Sequence, residues 1–231
     1  MYHSSHDTLG LVKREAVKNQ SIDRFETLVV SVRHTLKTTK TSFFFIMSSP
    51  VVSKTIKFNP ATDKLITLGA GCFWGTEHIY RKQFGSRIVD GRVGYANGSD
   101  AARDLKDGVS YKRVCNGDTG FAEVFQLAYN PKVVSLKELI DFFFRIHDPT
   151  TVNRQGPDTG TQYRSAIFTH SEEDLKEVQR LKAEWQPKWN NRIVTTVEPI
   201  KNFYDAEEYH QIYLDKNPGG YECPTHYVRN I

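Results

Sequence analysis

The sequence predicts an α+β fold, a sheet with helices packed on it and a mobile C-terminal tail. Three observations point there. From Lys64 onward, short apolar runs alternate with segments of helical period. Two of those helical segments open on a serine placed to cap them. The first six elements follow the order β-α-β-β-α-β, that of a split βαβ, ferredoxin-like sandwich, which extra helices, a strand and the tail decorate.

Taken in order, residues 64–69 read as a strand and 73–85 as a helix whose Phe73, Tyr80 and Phe84 form one apolar stripe. A second strand is expected over 87–96, then a Gly/Asp/Ser-rich loop to about residue 110. A third strand runs 121–129, where Asn130-Pro131 stops it. The helix 136–146 opens with a capping box, Ser135 and Glu138, and carries Leu136, Leu139, Ile140, Phe143 and Phe144 on one face. The run from His147 to Thr161, rich in Pro, Gly and Asp, is long enough for a loop that function is expected there. A fourth strand over 163–169 leads into a helix from 172 to 185, capped by Ser171 and stopped near Pro187. Residues 192–198 read as a last strand, and a short helix is expected from Asp205, with Glu208 completing its box.

Composition is that of a globular protein: 231 residues, 39% hydrophobic and 25% charged. The formal charge of +4 is uneven, since residues 1–46 hold seven Lys/Arg against four Asp/Glu and the remainder is close to neutral. Nucleic acid is therefore not an expected partner. No 18-residue apolar run is present, so neither a transmembrane helix nor a membrane partner is expected. Residues 1–46, with eleven Ser/Thr and little periodicity, read as a disordered extension ahead of a catalytic domain over 54–231. Asp7, Glu15, Asp23 and Glu26 fit poorly with a mitochondrial presequence, so a cytoplasmic location is expected, with the mitochondrion as the alternative. A start at Met47 is a further reading of the same segment. Three scattered cysteines, Cys72, Cys115 and Cys223, suggest thiol chemistry rather than a disulfide scaffold.

Cys72 lies in Gly71-Cys72-Phe73-Trp74-Gly75, the turn between the first strand and the first helix. A thiol there meets unpaired backbone N–H groups and the positive end of the helix dipole, which favour thiolate. Glycines on either side open the sulfur to close approach. A buried structural cysteine is the competing reading. In Phe121-Ala122-Glu123-Val124-Phe125-Gln126-Leu127, strand alternation puts Glu123 on the face of Phe121, Phe125 and Leu127. A carboxyl on an apolar face has a raised pKa and stays protonated near neutrality, as a general acid requires. The alternative is an edge-strand glutamate reaching water.

The pentapeptide around Cys72 resembles the signature of the A-type peptide methionine sulfoxide reductases. The likeness continues through Gly94-Tyr95-Ala96-Asn97-Gly98, Phe121-Ala122-Glu123-Val124, His147-Asp148-Pro149-Thr150, Gly160-Thr161-Gln162-Tyr163-Arg164-Ser165 and Lys216-Asn217-Pro218-Gly219-Gly220-Tyr221. The resemblance implies reduction of methionine S-sulfoxide, free or in oxidised proteins and peptides, with Cys72 as nucleophile and Glu123 as acid. It implies that Tyr111 and Tyr163 donate to the sulfoxide oxygen and that Asp158 holds the polar network. Phe73 and Trp74 are expected to cradle the substrate methyl group. Cys223 is expected to resolve the Cys72 sulfenic acid from the tail, giving a disulfide that thioredoxin reduces. This chain lacks the second tail cysteine of some relatives, and Cys115 is the rival resolver. No metal or organic cofactor is implied, and a monomer is expected; the pairing of His210, Cys223 and His226 has no recognised zinc spacing. Two rivals remain: a cysteine hydrolase using His147 or His210 as base, and a non-catalytic thiol-bearing interaction module.

Overall fold

The computed structural model describes residues 51–99 and 108–231. The extension expected over residues 1–46, and part of the loop expected before residue 110, lie outside the described residues. Eight strands and five helices follow in chain order. These are β1 (Lys64–Ala70), α1 (Phe73–Phe84), β2 (Ile88–Ala96), α2 (Tyr111–Cys115), β3 (Ala122–Tyr129) and α3 (Leu136–Ile146). After them come β4 (Arg154–Gln155), β5 (Asp158–Thr159), β6 (Ser165–Thr169), α4 (Glu172–Trp185), β7 (Thr196–Pro199), β8 (Phe203–Asp205) and α5 (Tyr213–Lys216).

Six strands make one mixed sheet in the order β7-β6-β1-β3-β2-β8, and β4 pairs with β5 in a separate small hairpin. All neighbours in the large sheet are antiparallel except β6 and β7. β1 and β3 run through its centre, which explains their near-continuous apolar sequences: both faces of β3 are buried throughout. On one face Phe121, Phe125, Leu127 and Tyr129 join α1, α3 and α4 in the main core. On the other, Ala122, Val124, Ala166, Phe168 and Phe203 form a smaller cluster.

Helices α3 and α4 match their expected limits, and both caps form: Ser135 and Glu138 close a capping box, and the Ser171 side chain accepts from Asp174 N. The helix expected from Asp205 does not form. Phe203–Asp205 instead pairs with β2 as the sheet edge, and a 3-10 turn over Glu208–His210 follows. Asp205 is drawn away from capping because its carboxylate accepts from the Ser53 hydroxyl and, at 2.9 Å, from Lys54 N.

The tail expected to be mobile is docked on the body. His226 Nε2 donates to Ala70 O at 2.7 Å, and Arg229 N donates to Arg145 O at 2.9 Å. Cys223 is buried beneath this layer. Backbone bonds to β1 and α3 stand in for the regular structure that the tail lacks.

Candidate active site

Cys72 follows β1 by two residues and provides the N-cap residue of α1, and its side chain makes no cap hydrogen bond. The first-turn N–H groups are thus free for other acceptors. Phe73 N donates to Glu123 Oε2 at 3.1 Å, while the N–H groups of Trp74 and Gly75 pull Cys72 towards thiolate. Gly71 has φ +92°, and a Cβ there would fall 2.5 Å from Gln155 Cβ. A Cβ on Gly75 would overlap the His226 ring. These glycines thus admit protein side chains rather than only opening the sulfur to substrate.

Glu123 lies on β3 between β1 and β2, so the edge-strand alternative is excluded. It is only 1% exposed and makes no ion pair among the described residues. Burial pushes its carboxyl from an ordinary 4.5 up to about 8, against the pull of Phe73 N. The acid expected from strand alternation is therefore protonated at neutral pH. Cys72 departs from expectation: burial first, and then the Glu123 carboxylate where it is ionised, raise its thiol well above the ordinary 9.0 and outweigh the helix N-terminus. It rests as a thiol.

A cavity of about 280 Å³ opens over these groups, lined by Cys72, Phe73, Trp74, Tyr111, Glu123, Pro157, Asp158, Tyr163 and Tyr221. Seven residues singled out in the sequence thus meet at one place, although they span 92 positions from 72 to 163. Burial raises the phenols of both Tyr111 and Tyr163, so each remains a neutral donor. Cys223 does not line the cavity. It sits behind the β4–β5 hairpin, its thiol 3.6 Å from Gln155 O and 3.2 Å from Thr225 Oγ1. Burial raises this thiol as well. Cys115 ends α2, partly exposed, with its thiol against the phenols of Tyr111 and Tyr163.

The histidines of the rival readings are engaged elsewhere. His147 is buried between Phe143 O and Ser165 Oγ, and its pKa falls to about 3. His210 Nδ1 accepts from Trp74 Nε1 at 3.1 Å. Among the described residues no group of three His, Cys, Asp or Glu side chains is arranged to hold a metal.

The family model described as peptide methionine sulfoxide reductase matches residues 64–230. The chain belongs to the peptide methionine sulfoxide reductase family. A peptide methionine sulfoxide reductase of Saccharomyces cerevisiae is 69% identical over 183 residues, covering 79% of this chain and all of that one. The crystal structure of Mxr1 from the same yeast in reduced form superposes with a TM-score of 0.76 at 69% identity, covering 78% of this chain and 99% of that one. Mxr1 in complex with Trx2 gives a TM-score of 0.55 at 52% identity over 78% of this chain and 99% of the other.

Against this reductase-family site, sequence reasoning missed the residues that brace the lining. Trp74 stacks on Tyr213 with ring centroids 3.8 Å apart, and His210 lies 5.1 Å from the Phe73 ring. Glu207 accepts from Tyr95 Oη and from Tyr111 N, both at 2.9 Å, and so fixes the start of α2. Tyr221 donates to Asp158 Oδ1 at 3.0 Å and closes one side of the cavity. Its place in the recognised Gly219-Gly220-Tyr221 run was the available signal. Glu207 carried none beyond an expected helix that does not form, and His210 was singled out only for the rival base and metal readings.

Proposed function

We propose that this chain reduces methionine S-sulfoxide, free or within oxidised proteins, through Cys72, Glu123 and Cys223. The observation that carries this reading is the juxtaposition of a thiol, a protonated carboxyl and two phenols around one cavity with an aromatic wall. The sulfoxide oxygen is placed towards Glu123, Tyr111 and Tyr163, and the methyl group against Phe73 and Trp74. Cys72 sulfur attacks the sulfoxide sulfur while Glu123 gives its proton to the oxygen. The Glu123 carboxylate so formed takes up the Cys72 thiol proton. The hydroxyl then passes to the Cys72 sulfur as the substrate S–O bond and the new bond between the two sulfurs break. Methionine leaves with the electron pair, and Cys72 is left as sulfenic acid.

Cys223 sulfur next attacks the Cys72 sulfenic acid. A disulfide forms, the S–O bond breaks, and the oxygen departs as water. A dithiol such as thioredoxin restores both thiols by exchange; the Trx2 complex of a yeast relative supports this partner. We further infer that β6-β1-β3-β2 with α1 and α3 form a split βαβ, ferredoxin-like unit, a reading supported by their order and antiparallel pairing. The proposed chemistry needs no residue from a second copy, and a monomer is the state we infer. A reducing compartment, the cytoplasm, suits three free cysteines.

A single turnover tests the assignment. Reduced protein with excess methionine S-sulfoxide and no other reductant is expected to release about one methionine per chain and to leave a Cys72–Cys223 cross-link in its peptide map. A Cys72–Cys115 link instead would replace the resolver. No methionine from folded protein would overturn the reading.

A further inference from the structure

His226, in the tail, reaches the end of β1, the strand that leads to the nucleophile. Its Nε2 lies 2.7 Å from Ala70 O, two residues before Cys72. A carbonyl only accepts, so Nε2 carries the hydrogen and the neutral ring presents Nδ1 as an acceptor. That Nδ1 is shielded from solvent, has no partner among the described residues, and rests where Gly75 lacks a Cβ. One imidazole therefore touches the chain on both sides of Cys72.

The same residue is tied to Cys223. His226 N donates to Cys223 O at 2.9 Å, closing a turn through Pro224 and Thr225. Proline at the second position of such a turn holds its φ near the value required. The Thr225 hydroxyl lies 3.2 Å from the Cys223 thiol, and Arg229 Nη2 donates to Thr225 O at 3.0 Å. The turn is thus tied at His226 to the β1 terminus, and Arg229, three residues on, ties the following chain to α3 through Arg145.

We propose that His226 is a positioning residue for the resolving step, holding the Cys223 turn within reach of Cys72 by its bond to Ala70 O. The inference rests on Cys72 as nucleophile and Cys223 as resolver. Disulfide closure is intramolecular, so its rate follows the effective concentration of one thiol at the other sulfur. A turn anchored two residues from Cys72 keeps that concentration high. The attack on the substrate sulfoxide does not use the turn. His226 therefore separates the two chemical steps: its loss slows consumption of the sulfenic acid without slowing methionine release.

The test is rapid-quench single turnover on parent, His226→Ala, His226→Gln and Pro224→Gly proteins. Released methionine, dimedone-trapped Cys72 sulfenic acid and the Cys72–Cys223 cross-link are each followed in time. Parent protein must release methionine and form that cross-link; if it does not, the underlying site assignment fails and not the role of His226. With the parent behaving so, His226→Ala is expected to release methionine at the parental rate but to close the disulfide about tenfold more slowly, the size of one lost hydrogen bond. Glutamine also places an N–H donor near the Nε2 position, so His226→Gln is expected to recover most of the closure rate. Pro224→Gly, which leaves the Ala70 bond intact, is expected to slow closure by loosening the turn even if His226→Ala does not fold. Closure at the parental rate or faster in His226→Ala, no gain from glutamine over alanine, or unaltered closure in Pro224→Gly would each overturn the proposal.

Discussion

Two buried glutamates sit on neighbouring elements of this protein and do opposite things. Glu77 on α1 and Glu123 on β3 are each 1% exposed. Glu77 is bound at 2.9 Å by Arg81, one turn along the same helix, and accepts from Ile212 N at 2.8 Å. Burial still raises its pKa, but the Arg81 charge and the Ile212 N–H pull it back. Among the described residues Glu123 has one backbone donor and no cation, and it rises to about 8. Burial alone does not make an acid. A carboxyl becomes a proton donor where the fold withholds the counter-ion, and a structural brace where the fold supplies it.

Substitution should separate the pair most sharply. Glu123→Gln keeps shape and neutrality but has no proton to give, and should lower the single-turnover rate of methionine release about a thousandfold, with little change in the urea midpoint measured below pH 4.5, where the parent side chain is neutral both folded and unfolded. Glu77→Gln should do the reverse. It strands Arg81 and weakens the anchor on Ile212 N, lowering stability by about 3 kcal/mol in urea titration while methionine release by the folded fraction is retained.

The pH dependence provides a finer contrast. Glu123 binds its proton more tightly folded than unfolded, so between pH 4.5 and about 8 the native state carries the extra proton. Stability from this group is full below pH 4.5 and falls as pH rises to about 8, with a limiting slope of about 1.4 kcal/mol per pH unit. Glu123→Gln should flatten that slope, and an unchanged slope would refute the raised pKa. In the parent, methionine release should also fall above about pH 8 as the acid loses its proton. The smallest effect is expected for Tyr221→Phe, which removes the bond to Asp158 and should weaken substrate use by about 1 kcal/mol, read as a rise in KM.

How far the sequence disclosed these parts follows from the range of the forces involved. Helix α3 was legible because its capping box and apolar face lie within twelve consecutive residues, and Glu123 because strand alternation states its face. The protonation of Cys72 was not legible, since it depends on Glu123, fifty-one residues away, and on burial that neither neighbourhood specifies. Glu207 shows the same limit: the apparent helix start around it yields to a strand pairing with β2 and to bonds from Tyr95 and Tyr111, about a hundred residues upstream. The docked tail was missed because its glycines and missing periodicity describe the chain alone, whereas its anchors are backbone atoms of β1 and α3.

The two glycines flanking Cys72 carry a consequence for engineering. Each marks the footprint of a side chain from far along the sequence, Gln155 at one and His226 at the other. The pentapeptide is half of a socket, and its other half is supplied by the β4–β5 hairpin and the tail. Transplanting Gly71 to Gly75 onto another strand–helix junction would move the nucleophile without the segments packed against its glycines, leaving the turn unsupported. A graft intended to work has to carry all three segments together.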